Sequence, residues 1–196
     1  MLFRSENVVA LAGIDLELPT GSVTVVRGPN GSGKTTLVRI LAGELTATAG
    51  AVRLGADGRT PRIVTLRQFG NVVPELTVTE HAALLGTSLP PHEWGDQRAG
   101  VLEPGNQQRL AVSLALASSP DVVLADEPTA NLSHLEAVVV YRELADRCRA
   151  AGATLILVTH DARAEAVADL VVRLRDGRVA ERWIPGGPEE QAVDRG

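Results

Sequence analysis

Three short runs of aliphatic and β-branched residues organise the chain: Val23-Thr-Val-Val-Arg27, Asp121-Val-Val-Leu-Ala-Asp126 and Thr154-Leu-Ile-Leu-Val158. Each is apolar nearly throughout, the pattern of a strand buried on both faces of a parallel sheet. Residues 8–18 and 51–67 alternate apolar and polar positions instead, which predicts an antiparallel β arm beside that core. Helical spacing predicts helices over 37–42, 79–86 with Thr79 as N-cap, 106–118, and 134–149. In the last of these, Leu135, Val138, Val139, Leu144 and Cys148 form the expected apolar stripe. Asp161 is placed to cap a helix over 162–168, leading into a strand at 169–174. Thr48-Ala-Gly50 and Ala56-Asp-Gly58 are turn signals. Pro90-Pro91 and Gly95 interrupt the stretch 69–104. The tail 185–196, opening Pro185-Gly-Gly-Pro, has nothing to bury and is expected to be disordered. Strands alternating with helices predict one α/β domain over 1–196, a mostly parallel sheet flanked by helices.

Composition narrows the function classes. With 44% hydrophobic and 22% charged residues the 196-residue chain reads as globular, and 3% aromatics leave an aliphatic core. A formal net charge of -5 excludes a domain-wide basic footprint, so no nucleic-acid partner is expected. No apolar run is long enough to span a bilayer, and Met1–Gly13 lacks the pattern of a signal peptide. The single Cys148 excludes an internal disulfide or a thiolate cluster, and a cytoplasmic setting is expected. Of 19 basic side chains only Lys34 is a lysine. A coding bias toward arginine explains the rest, and Lys34 survives where a compact ammonium is hard to replace.

That lysine lies in Gly28-Pro-Asn-Gly-Ser-Gly-Lys-Thr-Thr36, directly after the first buried run and before a helix. The spelling and the strand–loop–helix context both match a phosphate-binding loop, and hence a P-loop NTPase core. Glycines at 28, 31 and 33 let the backbone curl around phosphate oxygens. The N–H groups of Gly31 to Thr36 then meet those oxygens at a helix N-terminus. The loop, with Pro29, Asn30, Ser32 and Thr36, would cradle the phosphates; Lys34 would reach the β/γ-phosphates and Thr35 would offer a hydroxyl to Mg2+.

The second buried run ends in Asp126-Glu127, and the third in Thr159-His160-Asp161. Carboxyl ends of parallel strands face the crevice where α/β sheets bind ligands. There Asp126 is suited to hold the Mg2+ shell, and Glu127 to orient or deprotonate an attacking water. His160, at the same sheet edge, is able to hydrogen-bond a γ-phosphate; a surface or core histidine is the plain alternative. The guanine-reading Asn-Lys-x-Asp motif is impossible here, since the only lysine is Lys34.

GPNGSGKTT, VVLADEPT and VTHD in this order resemble the nucleotide-binding domain of ABC transporters, from about Phe3 to Trp183. The resemblance implies ATP and Mg2+ as ligands, a separate transmembrane permease as partner, and a place on the inner face of the cell membrane. It also implies that Gln68 contacts Mg2+ and couples to the permease, that 69–104 is a helical subdomain docking on it, and that His160 is the switch histidine. Phe3 is the nearest aromatic for stacking on adenine, and packing on the core is an equal alternative. The 33 residues between Gln68 and Leu102 are fewer than usual in the family.

Leu102-Glu-Pro-Gly-Asn106 occupies the signature position, where the family has Leu-Ser-Gly-Gly-Gln and closes on its neighbour's γ-phosphate. Here Glu103 replaces the hydroxyl donor, and Pro104, which has no N–H, replaces a glycine. Asn106 ends the motif, and Ser133 stands where an aspartate is usual. Two pairings stay open: a homodimer hydrolysing slowly, or a heterodimer with a second ATP-binding subunit. The expectation is an ATPase subunit powering a permease, in an exporter of small size. A regulatory or degenerate subunit with little hydrolysis of its own is the alternative.

Overall fold

The computed structural model describes residues 2–5, 8–55, 59–68, 70–85, 94 and 96–186, with only the backbone of 2–5 and 8. The three buried runs form strands β3 (Val23–Arg27), β5 (Val122–Asp126) and β6 (Thr154–Thr159). With β4 (Ile63–Leu66), β7 (Leu170–Arg175) and β8 (Arg178–Trp183) they make a six-stranded sheet in the order β4-β5-β6-β3-β7-β8. All pairs are parallel except β7–β8.

Burial on both faces is the reason those runs do not alternate. Val25, Val123, Leu155 and Val171 point to one side, toward helices α3 (Pro104–Ala117) and α4 (His134–Ala151). Val26, Leu124, Ile156 and Val172 point to the other, where Leu37, Val38 and Ile40 of α1 (Lys34–Leu41) cover them. A third apolar cluster joins Val78 of helix α2 (Val78–Leu84), Trp94, Ala99 and Leu102 to α3.

The arm is smaller than its alternation predicts. Strands β1 (Leu2–Ser5) and β2 (Val8–Ala12) pair antiparallel, while residues 51–55 form no strand. Ile63–Leu66, expected in that arm, instead joins the main sheet in parallel with β5. The cap of α2 also moves, from Thr79 to Thr77. Thr77 and Glu80 form a reciprocal capping box, which the spacing Thr-x-x-Glu encodes. In α4 the buried stripe is Ala137, Val140, Tyr141, Leu144, Ala145 and Cys148, whereas Leu135 and Val139 face solvent. Asp161 is the expected cap, but the segment it caps is a 3-10 turn over Ala162–Val167 and not a helix over 162–168. Most of the stretch expected to be irregular (86–93 and 95) and residues 187–196 of the tail lie outside the described residues.

Strand β8 follows a two-residue turn, Asp176-Gly177, with φ of 49° and 74°. Positive φ at both centres is the twist-matched hairpin turn that Asp-Gly favours. This turn is clasped from two sides: Ala12 N–H donates to Gly177 O (2.7 Å) and Gly177 N–H donates to Ser32 O (3.2 Å). A Cβ at 177 would lie 2.7 Å from the carbonyl oxygen of Ala10. Gly177→Ala is therefore expected to lower stability by about 1–3 kcal/mol, measured by chemical denaturation; an unchanged midpoint would refute this account of the turn. Burial pushes the Cys148 thiol up to about 12. At pH 8 it should resist a thiol reagent in the folded chain and react readily in guanidinium.

Candidate functional site

Register brings the chemistry together. Arg27 at the end of β3 lies opposite Thr159 of β6, and Asp126 of β5 lies opposite Val158. The loops leaving these three neighbouring strands therefore start level with one another. They carry the phosphate-binding loop, Asp126-Glu127 and Thr159-His160.

The loop is braced by the protein as much as shaped for a ligand. A Cβ at Gly28 would sit 2.3 Å from the Leu174 carbonyl oxygen, and one at Gly33 2.5 Å from that of Ala10. Those two glycines are thus demanded by neighbouring backbone, a reason the sequence does not display. Gly33, at φ 98°, is the N-cap of α1, which has no side-chain cap and no acidic residue in its first turn. By contrast, Thr77/Glu80 and Ser133/Glu136 complete capping boxes on α2 and α4. The first-turn N–H groups of α1, which a helix cannot bond internally, remain for an anion. Lys34 is 7% exposed, and its ammonium donates to the carbonyls of Gly28 (2.8 Å) and Pro29 (3.0 Å). Pro29, Asn30, Gly31 and Thr35 are exposed, Thr36 is half-buried and Ser32 is buried.

Thr35, Gln68 and Asp126 line one cleft of about 360 Å3, together with Arg39, Glu44 and Arg67. The Thr35 hydroxyl lies beside the Asp126 carboxylate in this cleft. The Oδ1 of Asp126 is buried with no hydrogen-bond partner. Desolvation raises the Asp126 carboxyl above its usual range, the nearby Glu127 adds to this, and the Thr35 hydroxyl and Lys34 oppose it. A buried carboxylate oxygen with no partner, beside a hydroxyl and an amide, is a donor set that suits a hard divalent cation.

Glu127 adopts φ 49°, rare for a residue with a side chain. Its N–H donates to Val158 O (2.8 Å), and its carboxylate is held from two sides. Thr159 Oγ1 donates to Oε2 (3.0 Å), and His160 Nδ1 lies 3.0 and 3.1 Å from the two carboxylate oxygens. An ionised carboxylate only accepts, so Nδ1 carries the proton. The His160 side chain is 64% exposed against 16% for Glu127.

The signature-position residues gather elsewhere. Glu103 is the exposed N-cap of α3 with no side-chain capping bond, Pro104 is its first residue, Leu102 and Gly105 are buried, and Asn106 is half-buried. Pro104 shares a groove with Gln68, Asn71, Gln108, Pro128 and Asn131. The backbone of Phe3 pairs with Leu11, and its side chain lies outside the described residues. Thr159, which bonds Glu127, and Tyr141, which bonds Thr159, are polar groups that motif reading misses. Their one sequence signal is a polar residue inside an otherwise apolar strand end or helix stripe.

Because burial disfavours the ionised Asp126, the folded chain binds its proton more tightly than the unfolded chain. Stability then falls as pH rises from the ordinary carboxyl range through the raised value, and the loss persists at neutral pH. Asp126→Asn is expected to melt higher than the natural chain at pH 7 in a chelator, with the difference shrinking in acid. An equal or lower melting temperature at pH 7 would contradict the assignment.

Comparison with known proteins places this geometry. The ABC transporter family matches residues 11–130. The chain is 32% identical to the phosphonates import ATP-binding protein PhnC of Thiobacillus denitrificans, covering 94% of this chain and 85% of that protein. It is 37% identical to the aliphatic sulfonates import ATP-binding protein SsuB of Rhodopseudomonas palustris (87% and 67% covered). It is 35% identical to the lipoprotein-releasing system ATP-binding protein LolD of Anaeromyxobacter dehalogenans (93% and 87%). Among solved structures, cbiO1 from Clostridium perfringens superposes with a TM-score of 0.81 at 23% identity, covering 94% of this chain and 86% of that one. The post-hydrolysis dimer of the cassette MJ0796 with ADP and Pi superposes at 0.75 and 23%, covering 95% and 96%. At those identities the superpositions establish the fold. The chain belongs to the ABC transporter family.

Proposed function

We propose that this member of the ABC transporter family is the ATP-binding and ATP-hydrolysing subunit that powers a separate transmembrane permease, working as a dimer. The observation that carries the reading is the buried, unpartnered Asp126 Oδ1 beside Thr35 at the uncapped start of α1. Among the described residues no helix is long and apolar enough to cross a membrane, and the separate permease is proposed from the likeness to the ATP-binding proteins named above. Dimerisation follows the dimeric cassette named above.

Residues Gly28 to Thr36 hold the triphosphate through backbone N–H groups, with the Lys34 ammonium on the β/γ-phosphates. Thr35, Gln68 and Asp126 would hold Mg2+, which would neutralise charge on the phosphate oxygens. Glu127 orients a water and takes its proton as that water attacks the γ-phosphorus, and ADP leaves. His160 is anchored through Nδ1–H on Glu127, and it donates to the γ-phosphate from Nε2 only with both ring nitrogens protonated. Gln68 also lines the groove beside α3 and couples the site to the permease. Phe3 is kept as the adenine-stacking candidate.

Relatives named for import and for release carry the same kind of subunit. Export is carried into this proposal as the sequence expectation of a small bacterial exporter, and those relatives do not favour it. The start of α3 favours a second reading. With Glu103 at the N-cap and Pro104 lacking an N–H, that helix offers a poor anion seat to a neighbour's γ-phosphate. Such a chain would sit beside a better second cassette and hydrolyse little by itself.

Mg-ATP hydrolysis by the purified chain, with Lys34→Ala as blank, separates the two. Turnover above the blank supports an active homodimer; tight ATP binding without turnover supports the second reading; no ATP binding overturns both. Glu127→Gln should lower kcat by about 100-fold or more while ATP stays bound. Normal turnover in that variant would sink the role of Glu127.

A further inference from the structure

Tyr141 is the chain's only tyrosine and is 1% exposed, yet it lies on the buried stripe of α4 with its hydroxyl in a polar chain. Thr129 donates to the Tyr141 hydroxyl oxygen; that oxygen lies 3.2 Å from Thr159 Oγ1; and Thr159 donates to Glu127 Oε2 at 3.0 Å. We propose that Tyr141 is a positioning residue for Glu127, acting through Thr159. This rests on Glu127 being the group that handles the attacking water.

Proton counting fixes the direction of the chain. The Glu127 carboxylate only accepts, so the single Thr159 proton is committed to it. Thr159 Oγ1 must then accept from Tyr141 as well as from the N–H of Asp161 (3.1 Å). Tyr141 spends its proton on Thr159 and accepts from Thr129, the direction in which that bond is made. Every hydroxyl points toward the carboxylate, so each polarises the next. Burial raises the Tyr141 phenol above its usual range, which keeps it a neutral donor. The competing acceptor for its proton is the Asp161 carboxylate, which also takes the N–H and guanidinium of Arg163, but the hydroxyl lies within hydrogen-bond distance of Thr159, at 3.2 Å.

This chain does something His160 cannot. Glu127 is held by one exposed group, His160, and one buried group, Thr159. When His160 turns its ring to the nucleotide, its hold on Glu127 is shared. The Thr129–Tyr141–Thr159 chain is anchored in the core and stays. It keeps a carboxylate at an unfavourable φ of 49° aimed at one place through the cycle.

The test uses the full chain. Tyr141→Phe keeps the ring and removes the hydroxyl. Its kcat should fall about 10-fold, with KM and ATP affinity within about twofold of the natural chain. Thr159→Ser should keep most of the rate, and Thr159→Val should lose it. The double variant Tyr141→Phe/Thr159→Val should fall no further than Thr159→Val alone, because both act along one path. A kcat for Tyr141→Phe within about twofold of natural, or multiplying losses in the double variant, overturns the proposal. If Glu127→Gln turns over normally, the reading of Glu127 fails instead; if that variant is dead and Tyr141→Phe is not, only this inference fails. A second readout needs no turnover. 3-Fluorotyrosine incorporation places one fluorine label, at Tyr141. Its resonance should move in Glu127→Gln, which Tyr141 reaches only through Thr159, and stay put in the control Arg182→Ala on β8. An unmoved resonance in Glu127→Gln overturns the coupling.

Discussion

The site depends on the parallel pairing of β6 with β3 on one side and β5 on the other. Hydrogen-bonded in register, these strands end level, so Lys34, Asp126 and Glu127 with His160 leave the sheet at one edge. No side-chain contact could substitute for that alignment, because a one-residue slip would send each strand's side chains to the opposite core. The aliphatic cores on both faces hold the register: Val25, Leu155 and Val123 against α3 and α4, Val26, Ile156 and Leu124 against α1. The sheet is a rigid jig, and the loops at its end carry the chemistry.

At that edge the chain tolerates two costs which ordinary packing would remove. Asp126 keeps a buried carboxylate oxygen without a partner, and Glu127 keeps a left-handed backbone. Each is offset by its surroundings: Thr35 and Lys34 around Asp126, and Thr159, His160 and the Val158 carbonyl around Glu127. Further support comes from far along the sequence. The Asp176-Gly177 turn grips Ser32, and the carbonyl of Leu174 closes on Gly28.

Much of this was legible in the sequence, for identifiable reasons. Buried parallel strands are apolar on both faces, so β3, β5 and β6 stand out, and the phosphate loop is spelled by residues whose neighbours in sequence are also its neighbours in space. What depended on distant pairing was not legible. Ile63–Leu66 alternates too weakly to say which sheet it joins, and β5 decides. The α4 stripe was misread because Leu135 and Val139 look like core residues, while Tyr141, which looks polar, is core. Thr159 becomes a partner of Glu127, and Tyr141 of Thr159, only after β6 lies beside β5. The capping box of α2 was there to be read, two residues before the cap chosen from the pattern.

The central claim is that Thr35 and Asp126 hold a divalent cation against the phosphates bound by the loop. Electron spin echo spectroscopy of Mn2+ replacing Mg2+, with a non-hydrolysable ATP analogue on the full chain, tests this most directly. The account predicts phosphorus couplings from the bound phosphates together with displacement of water from the ion, the protein contribution changing in Asp126→Asn and Thr35→Val. A manganese signal with free-nucleotide couplings, unaltered by either substitution, would contradict it.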